Sequence, residues 1–159
     1  ILILCRTPKQ ARNAYESLAS LLTPAGFQLK ETMGDAIKSL SAGQKVKWMG
    51  FGIGMSSDGL RYTITNHAWD ALSDGFAAAH GKPHSPVAAI HTLCGWLSDK
   101  GPCYPHTNME LAYTRIKRMA MSQGFEEIPD KHTVNAFWKK ANEKWKKLRD
   151  ETTKDCVKA

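Results

Sequence analysis

The β-structure of this chain is expected around one segment, KVKWMGFGI at residues 45–53. The strand-like pattern extends over residues 45–55, and a second such run covers residues 60–65. Ser-Ser-Asp-Gly at residues 56–59 separates the two runs. Asp-Gly between two strands is typical of a hairpin, because glycine accepts the positive φ that the turn requires. The segment therefore predicts a β-hairpin.

Three glycines recur at every second position of the first strand, namely Gly50, Gly52 and Gly54. An unbroken strand would place them on one face, because side chains alternate between the two faces. That face would have no side chains, so another backbone or a ligand can approach it closely. The alternative is that Trp48, Met49 and Phe51 are ordinary core residues of the hairpin.

The residues before the hairpin predict a strand, a helix and a short strand. The apolar run ILILC at residues 1–5 indicates a buried strand. Thr7 and Pro8 are typical of a helix start, and apolar residues at three-and-four spacing continue that helix to residue 22. Residues 27–30 are expected to form the short strand. The remainder up to the hairpin is expected to be a loop with a turn of helix at residues 35–40.

The rear of the chain predicts four helices. The expected start signals are Asn66, Pro86, a Thr107–Glu110 capping box, and Asp130 or Thr133. The last ten residues are expected to be frayed. The fold class is therefore α+β, with an α/β front at residues 1–65 and an all-helical rear at residues 66–159.

Composition favours a globular protein with a polyanionic partner. The chain has 159 residues, 42% of them hydrophobic, a formal charge of +7 and a pI of about 9.3. No apolar run approaches the ~20 residues that span a bilayer, so no membrane partner is expected. The four cysteines form no Cys-x-x-Cys pair, which fits a reduced compartment and indicates a cytoplasmic protein.

Basic residues concentrate on the last predicted helix, where two tryptophans are interleaved with them. Such a cluster is either a solvated helix face or a track along a nucleic-acid backbone. Glu143 is its one local counter-charge. The candidate phosphate-binding residues are Lys139, Lys140, Lys144 and Lys147, with Lys146 and Arg149 nearby, and Arg115, Lys117 and Arg118 on the preceding helix.

A second candidate site is a pair of metal-ligand spacings, His91-x-x-Cys94 and Cys103-x-x-His106. His and Cys three residues apart share one helix face and could chelate zinc. The bland interpretation is that Cys94 belongs to the buried stripe of its helix. A zinc-stabilised interaction domain is thus one alternative for the whole chain.

The order of elements resembles the rear part of a reverse transcriptase palm, entered just after the catalytic aspartate turn. Trp48-Met49-Gly50-Phe51 is similar to the Phe-Leu-Gly-Phe motif of that family's primer grip, and ILILCR at residues 1–6 is similar to the strand after the aspartates. The helical rear resembles the thumb or maturase-like region of bacterial, group II intron-like enzymes, in which a pair such as Gly95-Trp96 closes a helix.

The resemblance implies RNA-directed DNA polymerase chemistry in a larger protein. Residues Trp48 to Gly52 would lie at the primer end, and the basic helices would grip a template–primer duplex of RNA and DNA. Lys30 stands near the place of a lysine close to the incoming nucleotide. No Asp-Asp pair occurs, so the aspartates that hold Mg²⁺ would lie upstream of Ile1, in the rest of the polymerase, and no catalytic residue is assigned here.

This placement requires residues 1–4 to lie in the same sheet as residues 48–53. The alternative from another class is a stand-alone basic nucleic-acid-binding module without catalysis. An aromatic-x-Asp-Asp encoded just upstream of Ile1 would favour the polymerase, and an in-frame Met without palm motifs would favour the module.

Overall fold

The computed structural model describes the backbone of residues 1–157 and the side chains of residues 1–151. Two short 3-10 helices lie at Thr23–Ala25 and Gly101–His106. The helices and strands are, in chain order, α1 (Pro8–Leu22), α2 (Met33–Ala36), β1 (Val46–Trp48), β2 (Phe51–Ser56), β3 (Gly59–Ile64), α3 (Asn66–Ala79), α4 (Ser85–Asp99), α5 (Met109–Ser122) and α6 (Lys131–Val157).

The chain divides into two compact units. The first comprises Ile1–Trp48 and Gly52–Leu60, and the second comprises Met49–Phe51 and the chain from Arg61 onward. Helices and a small sheet together make the fold α+β, as the sequence predicts. Among the described helices, none combines the length and the apolar character that a bilayer crossing requires.

The two strands predicted before the hairpin are absent. Residues 1–5 and residues 27–29 have no strand structure, and residue 30 lies in a bend. Ile1 and Leu4 are 92% and 67% exposed, so the opening apolar run is not buried either. The predicted placement of residues 1–4 in the sheet of residues 48–53 is therefore wrong. A strand must pair its N–H and C=O groups with a neighbour, and β1–β3 provide none to this segment.

The sheet has three strands in the order β1-β2-β3. The hairpin between β2 and β3 is confirmed, and Gly59 after its loop has a φ of 110°. The predicted single strand over residues 45–55 is wrong, because Met49 and Gly50 form a tight turn between β1 and β2. Gly50 therefore does not share a strand face with Gly52 and Gly54.

Except at α4, where His84 precedes the helix without a side-chain cap, the helix starts follow side-chain caps. Some starts shift by a residue because another hydroxyl or amide provides the cap. Thr7 and Gln10 form a reciprocal capping box on α1. Asp130 caps α6, where its Oδ1 accepts from the Thr133 N–H at 2.8 Å. Thr65 rather than Asn66 caps α3, and Asn108 rather than Thr107 caps α5.

The expected Thr107–Glu110 capping box does not form. The Thr107 hydroxyl instead donates to the Cys103 carbonyl at 2.7 Å, and Glu110 accepts from Lys131 at 2.6 Å. The helix turn expected at residues 35–40 forms earlier, as α2. At the other end α6 runs to Val157, so the backbone of most of the last ten residues is helical, and residues 158 and 159 lie outside the described residues.

The hydrophobic core lies in the second unit. It is formed by α3, α4, α5, α6 and the 3-10 helix Gly101–His106. Packing is close enough that a Cβ on Gly75 would stand 2.7 Å from Thr92 Cγ2, and one on Gly101 would stand 2.5 Å from Trp145 Cδ1. The most deeply buried side chains are Trp138, Phe76, Leu72, Leu93, Leu97, Ile116, Val134 and Cys103.

Candidate nucleic-acid interface

The turn at Met49 and Gly50, called the Met49 turn below, is the most exposed part of the primer-grip-like segment. Met49 has a φ of 46° and Gly50 a φ of 82°, the signs that a type I′ hairpin turn requires at both central positions. The Met49 side chain is 73% exposed, and Trp48 is also exposed. The turn thus presents an apolar side chain to solvent from a fixed backbone.

Both carbonyls of the turn accept hydrogen bonds from residues of the same unit, Thr65 and Lys100. Thr65 donates to the Gly50 carbonyl through its N–H at 3.1 Å and its hydroxyl at 3.0 Å. The same hydroxyl accepts from the Ala68 N–H, so one side chain caps α3 and fixes the turn. Lys100 Nζ donates to the Met49 carbonyl at 3.2 Å. The turn is therefore attached to α3 and to the end of α4.

Lys100 is a buried cation, 4% exposed, directly behind the turn. Its ammonium lies 4.3 Å from the centroid of the Phe51 ring and 2.6 Å from the Asp99 carboxylate. These partners replace the hydration that the ammonium loses on burial, since an unpaired buried charge is costly. The φ at Gly50 favours glycine, and a Cβ there would stand 2.8 Å from Lys100 Nζ, so a larger residue would also require the Lys100 side chain to shift.

Helix α6 contacts the end of α4 and the two residues that follow it. Trp138 Nε1 donates to the Lys100 carbonyl at 2.8 Å, and Asn142 Nδ2 donates to the Gly101 carbonyl at 2.9 Å. Trp145 Nε1 donates to the Ser98 carbonyl at 2.9 Å. The last carbonyls of a helix lack intrahelical partners, and α6 donates to two of them at the end of α4, those of Ser98 and the C-cap Lys100. Its third bond is to Gly101, in the 3-10 helix that follows. Lys100 is thereby bonded to the Met49 turn through its side chain and to α6 through its backbone.

The predicted lysine track on α6 is exposed, and its members differ in position. Lys140, Lys144 and Lys147 follow one another at four and three residues, so they share one face of the helix. Trp138 and Asn142 are buried on the opposite side. Lys139 is also exposed and lies on the flank of that face. The structure therefore selects Lys140, Lys144 and Lys147 as a row of cations that faces solvent.

The basic residues of α5 do not form one surface. Arg115 lines a cleft with Trp69 and His106, called the Arg115 cleft below. Its guanidinium carbon lies 4.5 Å from the centroid of the Trp69 ring. Lys117 and Arg118 line a different, open surface that includes Glu110. The track that joins these residues to α6 stays a prediction.

The four predicted zinc ligands are not brought together. Among the described residues, no three His, Cys, Asp or Glu side chains are arranged to hold a metal ion. Cys103 is fully buried in the core, and this burial raises the pKa of its thiol to about 12. Burial also raises the pKa of Cys94. His91 is exposed, and His106 lies in the Arg115 cleft.

Lys30 is exposed in the bend after residues 27–29. The predicted short strand before it is absent, so nothing in its surroundings supports a role at a nucleotide. The segment is attached to α1 one residue later, where the Tyr15 hydroxyl donates to the Glu31 carbonyl at 2.8 Å.

The most important residue that the sequence does not reveal is Lys100. Lysine is rarely buried, and its position before Gly101-Pro102 signals only the end of a helix. Thr65 is missed because Asn66 beside it ranks higher as an N-cap, although Thr65 is the cap that forms.

The chain matches no protein-family model, no curated protein and no solved structure.

Proposed function

We propose that this chain is the primer-positioning and duplex-binding part of an RNA-directed DNA polymerase. In this function the Met49 turn lies against the primer strand near its 3′ end. The row Lys140, Lys144 and Lys147 contacts phosphates of the template–primer duplex. The reaction is the attack of the primer 3′-hydroxyl on the α-phosphate of a deoxynucleotide, and Mg²⁺ would be held by carboxylates in the rest of the polymerase.

The observation that carries this function is the double attachment of Lys100. Its side chain fixes the Met49 carbonyl, and its own carbonyl is fixed by Trp138 of α6. An element that positions a strand end must keep a constant distance from the element that grips the duplex, because in-line attack tolerates little misplacement. A buried residue that is bonded both to the Met49 turn and to α6 would help to keep that distance constant.

One observation favours the second candidate, a stand-alone nucleic-acid-binding module. Residues 1–4 lie outside the sheet, so the strand that would leave a catalytic turn is not formed within this chain. The polymerase function then requires this segment to pair with strands outside the chain, whereas the module requires no such pairing. Both candidates use the basic face of α6.

Replacing Lys140, Lys144 and Lys147 by Ala tests the duplex grip that both candidates share. Each phosphate contact contributes roughly 0.9 to the log–log salt slope on B-DNA, so loss of three lowers it by about 2.7. The slope is measured by fluorescence anisotropy with a labelled RNA–DNA hybrid at several salt concentrations. Circular dichroism should show unchanged helicity, because the three side chains are exposed.

The matched control removes three positive charges elsewhere, from Lys9, Arg12 and Lys38, which are all exposed in the first unit. This variant has the same net charge as the α6 variant, and it is expected to keep most of the wild-type slope. Equal slopes for the two triple variants would contradict a specific role of the α6 face.

Met49→Gly separates the polymerase from the module. Glycine adopts the φ of 46° at this position more readily than methionine, so the turn should remain at least as stable. In the complete enzyme we expect slower primer extension with nearly unchanged duplex affinity, measured by single-turnover extension and anisotropy. If a correctly folded variant extended primers at the wild-type rate, the proposed position of the Met49 turn at the primer end would be contradicted.

A further inference from the structure

The Arg115 cleft has a composition that the proposed function does not yet use. It lies in the second unit between the end of β3, α3 and the start of α5, and its volume is about 260 Å³. This is slightly below the range of pockets for drug-sized ligands, and it is comparable to one nucleotide rather than to a length of duplex. Its walls are provided by Ile64, Trp69, His106, Asn108, Leu111 and Arg115, among others.

The polar half of the cleft favours an anion. Arg115 is its one formally charged residue, and no carboxylate is among the described residues that line it. The nearby Glu110 is engaged by Lys131 at 2.6 Å. The guanidinium is held in place because it lies over the Trp69 ring at 4.5 Å. A guanidinium that is oriented in advance loses less side-chain entropy when it binds a phosphate.

The apolar half favours a flat, partly apolar group beside that anion. Leu111 lies one helical turn before Arg115 on α5 and is 70% exposed. Ile64 at the end of β3 adds a second aliphatic wall. A cation next to aliphatic walls matches a nucleotide, in which a phosphate adjoins a base with an apolar face.

We propose that this cleft binds a single unpaired nucleotide of a nucleic-acid strand, with its phosphate at Arg115 and its base against Leu111 and Ile64. This inference rests on the proposed function, because it places an unpaired strand of the same bound nucleic acid in the Arg115 cleft, while the duplex lies on α6. Duplex recognition by the α6 face is through phosphates alone and needs no such pocket.

The test compares the charge-conserving variant Arg115→Lys with Arg115→Gln. Lysine keeps the charge and loses the planar group that lies over Trp69, so both variants should weaken the binding of a labelled short oligothymidylate about tenfold. Arg61→Lys and Arg61→Gln are the matched pair, because Arg61 is an exposed arginine of the same unit that does not line the cleft. We expect Arg61→Lys to bind as the wild type does.

Two further arms keep the proposal open to refutation. Leu111→Ser changes an exposed wall residue without affecting the core, and it should weaken oligothymidylate binding about threefold. Thymidine monophosphate should compete more strongly than inorganic phosphate at equal ionic strength. Equal competition by the two would overturn the nucleotide assignment in favour of a bare anion, and wild-type affinity of Arg115→Lys would overturn the cleft as a built site.

Failure of this inference is distinguishable from failure of the proposed function. If the Arg115 and Leu111 variants bind normally while the α6 triple variant loses its salt slope, the cleft is not a site and the duplex grip remains. If the α6 triple variant also binds nucleic acid normally, the proposed function itself is wrong. Thermal melting of each variant identifies any that has lost its fold.

Discussion

At the scale of single residues, Gly50 meets two independent demands. Its φ is 82°, which lies in the left-handed region. A residue with a Cβ in that region raises the free energy of the folded protein by roughly 1–2 kcal/mol. In addition, a Cβ would stand 2.8 Å from Lys100 Nζ and 3.0 Å from Ala68 Cβ. The sequence suggests only that the glycine lies on a bare strand face, and the structure gives it a turn conformation and a close contact instead.

Gly43 provides a control for separating the two demands. It has a φ of 77°, close to that of Gly50, but a Cβ there would meet nothing within 4 Å. We expect Gly43→Ala to cost about 1–2 kcal/mol of unfolding free energy through backbone strain alone. Gly50→Ala should cost more, because Lys100 must also move. Urea unfolding of both variants measures the difference. Equal losses of unfolding free energy would show that the Lys100 side chain can move away from a Cβ at residue 50 without a measurable cost.

At the scale of elements, the start of α6 depends on one carboxylate. Asp130 Oδ1 accepts from the Thr133 N–H at 2.8 Å, and this bond is the main reason that the pKa of Asp130 is lowered from its ordinary 3.8. A carboxyl whose pKa is lower in the folded than in the unfolded protein stabilises the fold at pH values above its unfolded pKa. This stabilisation is lost as the pH falls through the lower, folded pKa.

Asp130→Asn makes that dependence measurable. Asparagine is also a good N-cap but carries no charge to titrate. The stability difference between the wild type and this variant should therefore be largest near neutral pH and should shrink below about pH 4. Urea unfolding at a series of pH values checks this. A difference that stays constant down to pH 3 would contradict a charged cap at α6.

Local signals predict the elements well where the whole signal lies within a few residues. Thr7, Asp130 and the Ser-Ser-Asp-Gly loop are examples, because a cap or turn is completed by neighbours in sequence. The apolar run at residues 1–5 shows the limit. Apolarity indicates that a segment can be a strand, but pairing depends on which other strand is present, and periodicity carries no information about that.

The candidate site was predictable only in its exposed part. The lysines of α6 and the Trp48–Phe51 segment are visible as patterns. Lys100 and the separation of Arg115 from Arg118 depend on tertiary contacts, which local spacing does not specify. In particular, Arg115 and Arg118 are three positions apart on one helix and therefore near each other, yet only Arg115 lines the cleft beside Trp69 of α3.

At the scale of the whole molecule, the two units differ in how much apolar surface each buries. The core cluster lies between Trp69 and Trp138, all within the second unit. Helix α1 in the first unit has an apolar stripe but no fully buried residue. Since local stability follows buried apolar contacts and protected hydrogen bonds, the first unit should open more readily.

Hydrogen exchange tests that difference directly. We expect amides of α1 to show protection factors at least about tenfold lower than those of α3, α4 and α5 under native conditions. Mass spectrometry of peptic peptides resolves these helices individually. Equal protection of α1 and α4 would mean that the first unit is stabilised by contacts beyond its own buried side chains.

The bonds from Thr65 and Lys100 to the two carbonyls of the Met49 turn have a mechanical consequence. A hairpin tip usually bends with its own strands, but here a load on the Met49 side chain passes through Gly50 and Lys100 into α3 and α4. The backbone of the tip is thus anchored to α3 and to the residue that follows α4. A force applied at Met49 would therefore act on these two helices through the same two bonds.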